Sequence, residues 1–140
     1  MDFIKCTEES NNKIIKAEEN GKKFIIKNES RYTIRKIKVD GCLIDDVKTK
    51  KCDYLFEIED EDLQVFYVEL KGCRVDDAIF QIEATIELLS LRHKNNKKSC
   101  YIVASSSPKV GPKRQILMKK FNKKYKCELK FSSRQEVVTL

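Results

Sequence analysis

Asp53, Glu69 and Lys71 have the types and spacing of residues that handle a phosphoryl group. They lie in two apolar runs, CDYLFEI and LQVFYVELKG, separated by the acidic stretch Asp60-Glu61-Asp62. Both runs have the β-branched and aromatic composition of strands, and the polar stretch between them reads as a tight connection. A hairpin folded about Glu61 sets Asp53 opposite Glu69, Tyr54 opposite Val68 and Phe56 opposite Phe66. Strand side chains alternate between faces, so Glu69 and Lys71 project to one side, beside Asp53. A slip of one residue in the turn would separate them. Carboxylates opposed across a sheet repel unless something compensates. A divalent cation such as Mg²⁺ or Mn²⁺ is suited to that task, since it takes hard oxygen ligands and keeps several waters. Asp53 and Glu69 supply two ligands, and the carbonyl of Leu70 is a candidate third. Such a cation lowers the pKa of a bound water, and Lys71 is placed to hold that water and offset charge in the transition state. The plainer reading is a solvated face on which Lys71 pairs with one of the acids.

The Asp53 and Glu69-Leu70-Lys71 pattern resembles the PD-(D/E)xK, or restriction-endonuclease-like, nuclease superfamily. The matching stretch covers about residues 31–104, with Cys52 where the superfamily has the proline before its acid. The resemblance implies an α/β fold with a restriction-endonuclease-like core: a mixed β-sheet with a three-strand meander, a crossover helix, a further strand and flanking helices. It implies Mg²⁺- or Mn²⁺-dependent hydrolysis of phosphodiester bonds, with DNA favoured over RNA as substrate. Some branches, the RecB-like nucleases, place a glutamine near the site, and Gln81 lies ten residues beyond Lys71. The aromatic that usually follows it is replaced here by Ala84 or Thr85. An acid from a first helix often adds a metal ligand; Glu18 is the choice here, with Glu8, Glu9 and Glu19 as other candidates. By analogy, so compact a domain suggests a homodimer acting on two strands, or a catalytic subunit that needs a partner. The alternative is a non-catalytic module that keeps this fold to bind nucleic acid or protein.

The remaining elements follow from local pattern. The 140 residues read as one domain, 1–140. An N-terminal segment, 1–20, contains a short helix around Lys13–Glu19 closed by Gly21, followed by a strand at Lys22–Asn28. The run Arg31–Ile44 is the first meander strand, and Asp45–Lys51 a charged connection. A helix from Asp76 to about Arg92 buries Ala78, Ile82, Ile86 and Leu89, and a strand follows at Cys100–Ala104. A loop at Ser105–Pro112 leads to a basic helix, Lys113–Tyr125, striped by Ile116, Leu117, Phe121 and Tyr125. A strand near Cys127–Phe131 precedes a frayed tail, 132–140.

Charge is unevenly spread. The net charge is +7, yet no Lys or Arg occurs from Asp53 to Leu70 and no Asp or Glu from Lys109 to Lys126. Lys113, Arg114, Lys119, Lys120, Lys123 and Lys124 therefore read either as a solvated face or as a surface that tracks phosphates. The acidic turn is expected to point away from such a substrate. The six cysteines show no C-x-x-C spacing and, with His93 the single histidine and a helix-end residue, do not suggest zinc. They read as buried free thiols of a cytoplasmic protein rather than a disulfide framework. No signal peptide or apolar run of membrane-spanning length is present, so no membrane partner is expected.

Overall fold

Alternation along two neighbouring strands divides the molecule into two cores. In the computed structural model, Tyr54, Phe56 and Ile58 of β5 (Tyr54–Glu59) and Phe66, Val68 and Leu70 of β6 (Leu63–Gly72) pack into one cluster. Leu55, Val65 and Tyr67 point the other way, into a second cluster. Both faces of these strands are covered, which is why both read as nearly unbroken apolar runs. The structure describes residues 1–72, 74–105 and 111–140, with the side chains of residues 71 and 72 outside the description. Cys73 and the Ser106, Ser107 and Pro108 part of the expected loop lie outside it as well.

The chain is α/β, with three helices on a mixed sheet. The six-stranded sheet has the order β1-β4-β5-β6-β7-β8. Its elements are β1 (Thr7–Ser10), β4 (Thr33–Lys38), β5, β6, β7 (Lys97–Ala104) and β8 (Glu128–Ser133). Strands β4, β5 and β6 form an antiparallel meander; β7 and β8 then add in parallel. Each parallel step is bridged by a helix, α2 (Val75–Leu88) and then α3 (Pro112–Tyr125), as parallel neighbours require. The β5–β6 register is the one expected, with Tyr54 opposite Val68 and Phe56 opposite Phe66.

Helix α2 buries Val75, Ala78, Ile79, Ile82 and Ile86. Asp76 and Asp77 lie in its first turn, where they favour the positive end of the helix dipole. It stops at Leu88, short of the Arg92 end read from sequence. Helix α3 ends at Lys126, whose left-handed backbone (φ 54°) returns its N–H to the carbonyl of Asn122. Its apolar side is Leu117, Met118, Phe121 and Tyr125; Ile116, expected in that stripe, is 57% exposed.

Two elements expected from the sequence are overturned. Lys13–Glu19 is not a helix but strand β2 (Ile14–Glu19), paired antiparallel with β3 (Lys22–Lys27). Asn20 and Gly21 both have positive φ, 50° and 76°, and join these strands as a two-residue hairpin turn. The only helix before the meander is the single turn α1 (Phe3–Cys6). The expected frayed tail is strand β9 (Gln135–Thr139), parallel to β3, completing a sheet of order β2-β3-β9. Arg134 makes the switch between sheets with φ 64°; its N–H donates to Ala104 O at 2.8 Å and its carbonyl accepts from Lys23 N at 2.9 Å.

The cysteines are also not all free. Cys6 and Cys42 form a disulfide, tying the turn before β1 to the turn after β4. Cys52, Cys100 and Cys127 are buried thiols, as read from sequence. Lastly, His93, expected at the end of α2, lies in the turns beyond Leu88. It is fully buried, with Nδ1 2.6 Å from the Tyr67 hydroxyl and Nε2 2.5 Å from Glu57 Oε2.

Candidate active site

Asp53 immediately precedes β5, one step beyond the last pair of the β5–β6 ladder. Its N–H donates to Val68 O at 3.2 Å, and its side-chain Oδ2 accepts the N–H of Leu70 at 2.8 Å. That bond ties the aspartate to the strand carrying Glu69. The aspartate carbonyl in turn accepts from Val39 N at 2.9 Å and Asp40 N at 3.3 Å, so three strands' ends meet at one residue. Glu69 continues the alternation of Val65 and Tyr67 and so faces α2. Asp53 is 2% exposed and Glu69 1%. This is not the solvated face of the plainer reading.

The backbone at Glu69-Leu70-Lys71 is irregular. Glu69 pairs with Ile102 and Gly72 with Ala104, so β6 carries one more residue than β7 across this step. A bulge bends the strand and re-aims side chains, and here it falls on the three residues of interest. Leu70 buries its side chain in the cluster on the opposite face, with its N–H committed to Asp53. Lys71 belongs to β6 by its backbone; its side chain lies outside the described residues.

A threonine of α2 holds the entry to this site. Thr85 Oγ1 accepts the N–H of Cys52 at 2.9 Å and donates to Gln81 O at 3.0 Å. Thr85, which stands where the resemblance would place an aromatic, thus fixes the residue before Asp53 against the helix. The Cys52 thiol is pushed far up, first by burial and then by the nearby charges of Glu69 and Asp53. It stays protonated and acts as packing beside the carboxylates.

Around the loop that leads into Asp53 lies a cavity of about 510 Å³, lined by Asp40, Asp45, Lys48, Lys50, Lys51 and Gln81 among others; Asp53 and Glu69 do not line it. Gln81 borders this cavity, one turn of α2 before Thr85. The loop bounding the cavity is braced by Asp46, whose carboxylate accepts from Lys48 N at 2.9 Å and Thr49 Oγ1 at 2.7 Å. Those bonds hold the Asp46 carboxyl below its ordinary range. Lys51 Nζ donates to Asp46 O. In the sequence this loop reads only as a charged connection; its signal is the lysine run Lys48–Lys51, interrupted once by Thr49.

Other expected residues lie elsewhere. Glu18 is on β2, in the smaller sheet, which packs on the opposite face of the meander from Glu69. It is exposed and pairs with Lys16 at 3.6 Å, so it is no ligand of this site. Along α3, Arg114 pairs with Asp76 at 3.2 Å and Lys124 with Glu87 at 3.2 Å. Lys113, Lys119, Lys120 and Lys123 are exposed.

No protein-family model matches the chain, and no curated protein or solved structure is similar to it at a significant level. Among the described residues no group of three or more His, Cys, Asp or Glu side chains forms a metal cage. A magnesium ion does not require one: it is commonly held by one or two carboxylates with waters and substrate oxygens completing the octahedron. Two buried carboxylates at the ends of neighbouring strands supply the hard oxygen donors for that mode of binding. Among the described residues no helix is long and apolar enough to cross a membrane.

Proposed function

We propose that the chain is a metal-dependent nuclease with a restriction-endonuclease-like core, hydrolysing phosphodiester bonds in DNA. The observation that carries this reading is the burial of Asp53 and Glu69 together, with Asp53 bonded to the backbone of the strand that bears Glu69. Two acids at the ends of adjacent strands are the kind of donor set that a hard divalent cation takes. The meander β4–β5–β6, the crossover helix α2 and the parallel strand β7 supply the order of elements that the resemblance implies. The chain departs from it before the meander, where strands replace the expected helix.

In this reading Asp53 and Glu69 hold Mg²⁺ or Mn²⁺, with the Leu70 carbonyl as a further oxygen. When bound, the ion supplies an activated water and offsets negative charge on the phosphoryl oxygens. Asp53 is fixed by Leu70 N–H and by the backbone of Val39 and Asp40, so its carboxylate does not reorganise during the reaction. Lys71 orients the attacking water and moves its proton. Cys52 and Thr85 set the entry of β5 and exclude solvent from the rear of the site.

Supercoiled plasmid incubated with the protein and Mg²⁺ or Mn²⁺ is expected to be nicked, and Lys71→Ala to reduce nicking by about 10²–10³-fold or more. Plasmid binding that survives Lys71→Ala and EDTA, with no nicking by wild type alone or with its partner subunit, would instead establish a non-catalytic binding module.

A further inference from the structure

Phe80 lies on α2, one residue before Gln81, and is 40% exposed. Its ring carries the ammonium of Lys50, 5.2 Å from the centroid, which pins the loop after β4 against the helix. The same phenylalanine lines a groove of about 330 Å³ with Asp76, Lys113, Ile116, Leu117 and Lys120. Phe80 is thus shared between two lysine-bearing surfaces: Lys48 and Lys50 on one side, Lys113 and Lys120 on the other. All four lysines are exposed. The acid in the groove, Asp76, is offset by Arg114 at 3.2 Å. Lys48 and Lys50 also line the neighbouring cavity, together with Asp40 and Asp45, so the basic path runs from that cavity across Phe80.

We propose that this track, from Lys48 and Lys50 over Phe80 to Lys113 and Lys120, binds a single-stranded segment of nucleic acid. The proposal rests on the nuclease reading and names the form of substrate presented to that site. An exposed aromatic ring flanked by cations is the pairing that single strands use, with a base on the ring and phosphates on the ammonium groups. A duplex covers its base faces by internal stacking and has no free face to offer the ring. Lys50 and Phe80 divide one nucleotide between them: the base takes the ring and the ammonium swings to the adjoining phosphate. Ile116 and Leu117 extend the apolar floor for a second base. Stacking and phosphate contacts are shared by DNA and RNA.

Binding of fluorescent oligonucleotides to the whole protein in EDTA tests the track apart from cleavage. Single strands of mixed sequence are expected to bind several-fold tighter than the blunt duplex. The logarithm of affinity should fall with the logarithm of salt with a slope near about −3, as roughly four phosphates give in a single strand. Phe80→Leu keeps an apolar side chain but not a stacking face, and should weaken binding about tenfold, while Phe80→Trp retains it. Lys50→Gln together with Lys120→Gln should flatten the slope by about 1.4. Tighter binding of either DNA or RNA would support the track and identify its ligand. Equal binding of single strand and duplex, or no change in Phe80→Leu, would overturn it. Lys71→Ala, assayed for plasmid nicking in Mg²⁺ and for oligonucleotide binding in EDTA, separates the two readings: lost nicking with retained binding leaves the track standing. Lost strand preference with retained nicking removes the track alone.

Discussion

Asp53 is the residue at which structure and chemistry meet. Its carboxylate accepts a bond that a neutral amide oxygen accepts equally well, from Leu70 N–H. That carboxylate is 2% exposed and lies on the strand end beside Glu69. On the nuclease reading, Asp53→Asn keeps the bond from Leu70 N–H and is expected to abolish nicking with Tm within a few degrees of wild type, as thermal unfolding of both proteins would reveal. A purely structural aspartate would show a lowered Tm instead. Cys52 and Thr85 belong to the same corner of the molecule. Neither residue's part is visible from type alone, since a threonine inside a helix and a cysteine before a strand are ordinary, and only their 2.9 Å contact gives them a task.

Between β4, β5 and the turns after α2, a buried polar network ties the meander to the rest of the core. Glu57 accepts from Arg92 Nε at 2.8 Å and Arg35 Nε at 3.0 Å, and contacts His93 Nε2. Burial pushes the Tyr67 hydroxyl up, so it stays protonated, and it shares a hydrogen bond of 2.6 Å with His93 Nδ1 while Nε2 of the same ring meets Glu57. Burial alone would raise the Glu57 carboxyl, but hydrogen bonds from His93, Arg92 and Arg35 hold it well below its ordinary 4.5. A depressed folded value means that the network's contribution is complete above about pH 4.5 and is lost as pH falls further toward the folded value. Urea unfolding should find Glu57→Gln about 3 kcal/mol less stable at pH 7. The gap should narrow steadily below about pH 4.5, and an unvarying gap would remove Glu57 from this role.

Two long-range ties close the whole molecule at its N-terminal side. Strand β9 completes the smaller sheet beside β3, over Phe24, whose ring lies 5.4 Å from Phe56 and 4.9 Å from Tyr101. The Cys6–Cys42 disulfide closes a loop with a sequence separation of 36. Loop-closure entropy of that size corresponds to about 4 kcal/mol, within the usual range of about 2–5 kcal/mol for a native bridge. Cys6→Ser, or the wild type in dithiothreitol, should lose about that much in urea unfolding. Loss of structure at the Cys42 turn, close in sequence to Asp40, should also slow nicking. An unaltered unfolding midpoint on reduction would deny the bridge any part in stability.

Nearest-neighbour chemistry was written plainly in the chain. Period-two alternation about an acidic turn determined the β5–β6 register and brought Asp53 to Glu69. Helical spacing determined α2 and α3, because each of those patterns is satisfied by contacts a few residues apart. Asn20-Gly21 was also a local hairpin signal, but the polar, helix-compatible residues before it masked the strand. What only the tertiary structure decided were pairings between distant segments: β9 beside β3, Cys6 with Cys42, His93 drawn under Glu57, and Phe80 left bare between two sets of lysines. Such contacts depend on which surfaces remain uncovered once the sheets have formed, and no residue carries that information in its own neighbourhood. The carboxylate pair was legible because it needed one hairpin, whereas its burial depended on a helix from beyond that hairpin folding back over it.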